Sequence, residues 1–454
     1  MNPILFDKGE AAHPTPAEVA AGEPSAGAPR LRVPQRDQVE IRWASLDQLL
    51  EPDHAVRAVW AAVCGLDLGR WLCEIRAVEG AVGRDATDPR LLVALWVYAT
   101  LDAVSSAREV ARLSEKHLVY QWLCGGVTVN HHLLSDFRSQ GGDKWDALLT
   151  QIVAALLAED LVTMQRVAQD GMRVRAHAGK SSFRRRTRLE ECLADAREQV
   201  VTLKRLADEL PEASSGRQRA AQQRAAAERT KRIEEAIRQC DQLQQQRENT
   251  AKKSGRKAGE ARASTTDPEA RNMMFPDGGC RPGYNVQFST DTESGIIVGV
   301  DVSNHGTDSD ELPPMLEQLQ ERYDRQPEEA LVDGGFASCD TINKATKRGC
   351  VVYAPLKEEE KQLAAGKDPY SAKKGDSEAV AAWRERMGTA AAKLIYRWRS
   401  QTAEWVNALC RNRGFWQMPV RGRPKCRTVA VLYAIAHNIT RGVKLRAEVT
   451  MESG

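Results

Sequence analysis

The chain has 454 residues, 42% hydrophobic and 28% charged, which suffices for a real core and excludes a wholly disordered protein. Its 65 Lys and Arg against 62 Asp and Glu leave a formal charge of +3, so only the distribution of charge can speak about partners. None of its ten cysteines forms a CxxC pair, which excludes zinc ribbons and CxxC redox motifs on spacing. The most apolar stretch, Leu91–Val104, is too short to span a bilayer, and no secretory signal opens the chain. The expected setting is a soluble protein of a reducing cytoplasm, with no membrane partner.

Residues 1–34, rich in Pro, Ala, Gly and Glu, read as a disordered leader. Residues 35–158 read as an all-helical domain. Within it, Ser45–Leu50 can cap and open a helix, and Thr87-Asp88-Pro89 is a helix start with proline in the first turn. Leu91, Leu92, Leu95, Trp96 and Ala99 then recur at the spacing of one helix face. Gly125-Gly126 breaks the pattern, and Asn130–Arg138 starts another helix.

Val162–Val174 reads as a strand. From Arg184 to Lys257 the composition shifts to Arg, Lys, Glu, Gln, Ala and Leu, and over 187–257 apolar residues fall three and four apart with a break at Pro211–Gly216. Two antiparallel helices inserted into the following domain explain this pattern. Tyr284–Ser289 and Ile296–Val302 read as a strand hairpin, Asp310–Tyr323 as a helix and Ala330–Asp333 as a short buried strand. Cys339–Arg348 reads as a helix and Val351–Pro355 as a strand. Residues 357–390 read as loosely packed helix, and Ala391–Arg411 and Val429–Arg441 as long helices. The order predicts an α/β domain over 159–445, a mixed sheet interrupted by the helical hairpin, with a tail at 446–454.

Three acidic residues fall at the ends of these elements. Asp170, in Val-Ala-Gln-Asp-Gly, and Asp333, in Ala-Leu-Val-Asp-Gly-Gly-Phe, each follow apolar strand residues and precede glycine. An Asp-Gly pair taken alone is usually a turn. In an open α/β sheet, however, neighbouring strands can bring two such carboxylates to one edge, where a divalent cation is the natural compensation for their burial. The third is Glu404. On an α-helix Arg397, Glu404, Asn407 and Arg411 share one stripe, a lone acid among arginines that suits a site holding both metal and phosphate. Two oxygen-ligated Mg²⁺ ions about 4 Å apart would activate the attacking oxygen and stabilise the leaving one.

The motifs Asp170-Gly-Met-Arg-Val-Arg-Ala-His-Ala, Ser182-Phe-Arg-Arg-Arg, Asp267-Pro-Glu-Ala-Arg, Gly283-Tyr-Asn-Val-Gln, Asp333-Gly-Gly-Phe and Tyr396-Arg-Trp-Arg through Glu404-Trp-Val-Asn-Ala occur in that order. With Leu134-Ser-Asp-Phe-Arg, Val420-Arg-Gly-Arg-Pro-Lys and Ala434-Ile-Ala-His-Asn-Ile, they make residues 39–445 resemble the DDE-type transposases of bacterial insertion sequences. The resemblance implies a ribonuclease H-like catalytic domain and use of Mg²⁺, with Mn²⁺ as a substitute. It also implies cleavage at transposon ends and transfer of the freed 3′-hydroxyl into target DNA. Asp170, Asp333 and Glu404 would be the catalytic and metal-binding acids, and Tyr396, Arg397 and Arg399 belong to the Tyr-Arg-Glu signature. Phe336 stands where the family usually has tyrosine. Arg399 lies five residues before Glu404 where many related signatures have four, so the signature favours Arg399 as the phosphate-facing arginine and α-helical geometry favours Arg397. A decayed copy that only binds DNA, or a nuclease of the same fold, would share these residues.

Two acid-free basic runs flank the candidate acids. Lys180, Arg188 and five arginines, Arg173, Arg175, Arg184, Arg185 and Arg186, follow Asp170, and six Lys or Arg lie between Arg411 and Arg427. Phosphate neutralisation explains both, so double-stranded DNA is the expected partner, as element terminal repeats and as target. The helix at Asn130–Arg138 could read a major groove through Asn130, His131 and Arg138, or be structural through Leu133, Leu134 and Phe137. A metal site at His131-His132 is rejected because adjacent helix residues point apart. Resemblance to transposases, which bridge two DNA ends, implies a homo-oligomer on DNA.

Overall fold

The computed structural model describes residue 39 and residues 43–80, 84–209, 216–255 and 257–452. The leader and the break at residues 211–215 lie outside the described residues. Residues 46–49 form turns rather than the helix expected at Ser45–Leu50. The first helix, α1 (Ala55–Cys64), is instead opened by the His54 ring, which accepts from the Val56 amide. There follow α2 (Gly69–Leu72), α3 (Pro89–Leu101), α4 (Ala107–Lys116), α5 (Leu118–Cys124), α6 (His131–Gln140) and α7 (Gly142–Ala158). Asp88 caps α3 with its carboxylate on the Arg90 amide, and Asn130 caps α6 through the Leu133 amide. Leu91 to Thr100 are all buried, so α3 has no solvent face: α1, α5, α6 and a carboxy-terminal helix enclose it.

The sheet begins with β1 (Arg166–Arg175), and β2 (Phe183–Arg184) leads into the hairpin of α8 (Arg186–Glu209) and α9 (Gly216–Ser254). The chain returns through β3 (Ala263–Ser264), which pairs with β2, and then forms β4 (Arg271–Met274), β5 (Cys280–Asp291) and β6 (Ile297–Ser303). The small strands β2, β3 and β4 were not legible in the sequence, because two to four residues carry no period. Next come α10 (Leu312–Tyr323), β7 (Glu329–Leu331), α11 (Cys339–Lys347), β8 (Val351–Tyr353), α12 (Glu359–Ala364) and α13 (Glu378–Met387). Contrary to the loose packing expected over 357–390, α13 buries Val380, Trp383 and Met387, and the Trp383 indole donates to the Ala354 carbonyl at 3.1 Å.

The main sheet has the order β4-β5-β1-β7-β8, with β6 also paired to β5. β5 is antiparallel to β1, β4 and β6, whereas β1, β7 and β8 are mutually parallel. The chain ends with α14 (Ala390–Arg399), a π-helical turn at Ser400–Glu404, α15 (Trp405–Asn412) and α16 (Arg423–Glu452). α16 runs well past the expected end at Arg441: Leu445 is buried, and Arg446 pairs with Glu159 at 2.6 Å. Thr428 to Ile439 are buried almost throughout, because α16 packs on β6 with one side and on α3 and α7 with the other. Asn438 ties it to the strand, accepting from the Ile297 amide at 2.9 Å and donating to the Ile297 carbonyl at 2.8 Å. No helix among the described residues is long and apolar enough to cross a membrane.

Candidate active site

β1 pairs with β7 only over Arg166–Ala168, in the register Ala168 to Leu331. Two residues further along each parallel strand stand Asp170 and Asp333, level with one another where the ladder opens. Asp170 therefore lies in the middle of β1, not at a strand end, and its Asp-Gly pair is not a turn. Successive strand residues face opposite sides, so Gly171 faces away from Asp170. There the Asp308 carboxylate fills the space a side chain would need: a Cβ on Gly171 would lie 2.1 Å from Asp308 Oδ1.

Asp308 was not found from sequence; it follows no strand pattern and precedes no glycine. Its Oδ1 accepts from the buried amides of Asn285 at 2.6 Å and Gln287 at 2.8 Å, and its Oδ2 accepts from Arg173 at 3.3 Å. Asp333 turns back onto the chain, accepting from the Gly335 amide at 2.5 Å.

The third acid arrives on the α14–α15 helix. Its π turn inserts one extra residue, so residues five apart share a face there. That insertion decides which of the two arginines meets the acids. Arg399 donates from Nη1 to Glu404 Oε1 at 2.7 Å and places Nη2 3.2 Å from Asp170 Oδ1. Arg397, favoured by uninterrupted α-helical geometry, is exposed and forms no ion pair with these acids. Asn407 donates its amide to Asp170 Oδ2 at 3.0 Å, which holds the carboxylate from the helix side. Arg411 stacks over exposed Trp416, 5.8 Å from the ring centre.

Burial pushes the Asp170 carboxyl above the usual aspartate value; Arg399 opposes the shift, and Asp333 and Asp308 add to it. Burial also raises the Tyr396 phenol, with Arg399 opposing and Asp333, Glu404 and Asp170 adding. Arg399 is held above its ordinary value: burial works against its charge, but Asp170, Tyr396, Asp333 and Glu404 together outweigh it. Asp170, Asp333, Glu404, Tyr396 and Arg399 thus share one electrostatic neighbourhood.

Hard divalent cations take oxygen ligands. Three carboxylates around a single guanidinium, two of them in contact with it, and a buried Asn407 Oδ1 with no hydrogen-bond partner form a donor set of that type. Among the described residues no group of three His, Cys, Asp or Glu stands close enough to hold an ion as placed. Arg399 lies between two of the acids instead.

The basic runs sort into two groups. Arg173 pairs with Asp308, Arg185 with Glu260, and Arg186 with Glu190 and Asp241. Arg175 and Arg184 are exposed, as are Arg421, Arg423 and Lys425 on the second run. In α6, Arg138 turns inward over the Trp96 ring at 4.1 Å and donates to the Ser105 carbonyl at 2.8 Å, so it is not placed to read a groove. The His131 and His132 rings do not point apart: their centres are 4.1 Å apart, although among the described residues they gather no third ligand.

The strand order and directions, with acids at the opening of the parallel ladder, define a ribonuclease H-like fold. The family comparisons agree. Residues 260–439 match the family described as the transposase DDE domain, and residues 44–140 match the family described as transposase domain (DUF772). The chain thus carries a transposase DDE domain preceded by a second transposase domain. No curated protein and no solved structure is detectably similar to it.

Proposed function

We propose that this chain is a metal-dependent DNA transposase that cleaves transposon ends and joins the 3′-hydroxyl to target DNA. The observation that carries the reading is the level placement of Asp170 and Asp333 beyond the parallel ladder, with Glu404 linked to Asp170 through Arg399. Asp170, Asp333 and Glu404 would hold Mg²⁺, or Mn²⁺ in its place, which supplies Lewis-acid stabilisation of the attacking and leaving oxygens.

The chain's own residues then divide the remaining work. Asn407 orients the Asp170 carboxylate, and Asp308 braces the strand behind it. Arg399, Arg411, Arg175 and Arg184 supply cationic contacts for the phosphate backbone, with Tyr396, Arg397 and exposed Trp416 beside them. The residues 35–158 form the part that recognises the element's ends, the residues 159–445 carry the chemistry, and the protein acts as a homo-oligomer bridging two DNA ends.

The test is cleavage of a labelled duplex carrying the element's end, in Mg²⁺ or Mn²⁺, with binding followed in parallel. Asp170→Ala, Asp333→Ala and Glu404→Ala are each expected to bind but to lose roughly a thousandfold or more in cleavage. A wild type that binds and never cuts would overturn the catalytic reading in favour of a DNA-binding relic.

A further inference from the structure

Arg399 is the feature of this site that a plain three-carboxylate reading does not use. Its side chain is only 12% exposed, and it touches two of the three acids at once. The π turn exists at the one place where a five-residue spacing is needed to bring that guanidinium onto Glu404. Two carboxylates spanned by an internal cation have half of their charge compensated and the oxygens facing each other occupied, so a divalent ion must displace the guanidinium before it can use both. The guanidinium in turn needs another anion if it is to leave without a large penalty. A phosphate diester offers the same planar pair of acceptor oxygens that a carboxylate does.

We propose that Arg399 is a built-in counter-ion that keeps Asp170 and Glu404 closed to divalent cations until a phosphate of bound DNA draws it away. The inference rests on the assignment of these acids as the metal site. It makes metal binding and DNA binding mutually reinforcing, since each frees a partner for the other and such coupling is reciprocal. It also gives the arginine a function in the DNA-free protein: the site is protected from binding metal, and so from cutting, in the absence of substrate.

The experiment measures Mn²⁺ affinity of the full chain by the electron paramagnetic resonance signal of free Mn²⁺. Wild type, Arg399→Gln, Arg348→Gln and Asp170→Asn are compared without DNA and with a short duplex of arbitrary sequence, after subtraction of the duplex alone. Without DNA, Arg399→Gln is expected to bind Mn²⁺ about tenfold or more tightly than wild type. Arg348→Gln, which removes the same charge by breaking only a surface pair with Glu317, is expected to behave as wild type. The duplex should tighten Mn²⁺ binding to wild type by a similar factor and leave Arg399→Gln nearly unchanged. The wild-type comparison needs no variant, so it decides even if Arg399→Gln fails to fold.

Equal or weaker binding by a folded Arg399→Gln, or wild-type binding indifferent to the duplex, overturns the counter-ion role. The metal site itself survives that result if Asp170→Asn still abolishes binding. If Mn²⁺ binds nowhere, or Asp170→Asn leaves it unchanged, the metal-site assignment falls and the counter-ion proposal falls with it.

Discussion

Strands β1 and β5 place Val167, Ala168, Met172, Val174, Tyr284, Val286 and Phe288 out of solvent, and even Asn285, Gln287, Ser289, Thr290 and Asp291 of β5 are buried, Gln287 accepting from Gln169 of β1 and Asn285 donating to Asp308. The α8–α9 hairpin, with helices of 24 and 39 residues, buries Leu189, Ala196, Ala226, Ile233, Ala236 and Cys240 as its apolar contacts. The rest of its surface carries exposed pairs such as Arg197–Glu234, Arg188–Glu191 and Arg238–Glu235. One region is held by close packing that tolerates little change, and the other by a thin stripe and screened charges of small individual worth. Positional accuracy is concentrated where carboxylates must be held level, and the hairpin is free to vary in its surface.

That contrast can be broken or sharpened by stability measurements. The largest effect is expected at His437, on the sheet side of α16, whose ring is 2.8 Å from the Gly295 carbonyl. Burial holds its pKa down at about 4, against 6.5 for the free side chain. The unfolded chain therefore takes up this proton more readily between those values, and stability is lost as pH falls from about 6.5 to about 4. The loss should be about 3 kcal/mol, read from urea midpoints, and His437→Gln should flatten that part of the profile.

A smaller loss, about 1–3 kcal/mol, is expected for Gly171→Ala, because the added methyl collides with Asp308, Gln287 and Asn285 in a packed network. The smallest belongs to the hairpin: Arg197→Ala should cost about 0.2–1 kcal/mol and less in high salt. A hairpin variant as damaging as Gly171→Ala would break the comparison. Hydrogen exchange should show the same order, with β1 and β5 amides outlasting those of α8.

Much of the helical order was legible because long elements announce their period. Asp88-Pro89 and Asn130 mark the starts of α3 and α6, and the two helices of the hairpin show as a change of composition. The strand β5 was legible as an alternation of polar and apolar residues and β6 as a β-branched run, around a turn. Full burial of α3 and of the middle of α16 was not, since an apolar run looks the same whether one side or every side is covered. The inward turn of Arg138 was hidden for a related reason: nothing local says that Trp96, 42 positions earlier, supplies a ring for it to stack on.

By itself the sequence determined the succession of elements and singled out Asp170, Asp333 and Glu404, because residue type and hydrophobic period are local properties. Only the tertiary structure decided that Asp170 and Asp333 stand level, that Asp308 takes the space beside Gly171, and that Arg399 rather than Arg397 meets the acids. The first depends on the register between strands far apart in the chain, and the second on a close approach across the sheet. The third depends on one extra residue in a helical turn, which rotates every side chain before it relative to those after it and leaves no mark in the hydrophobic period.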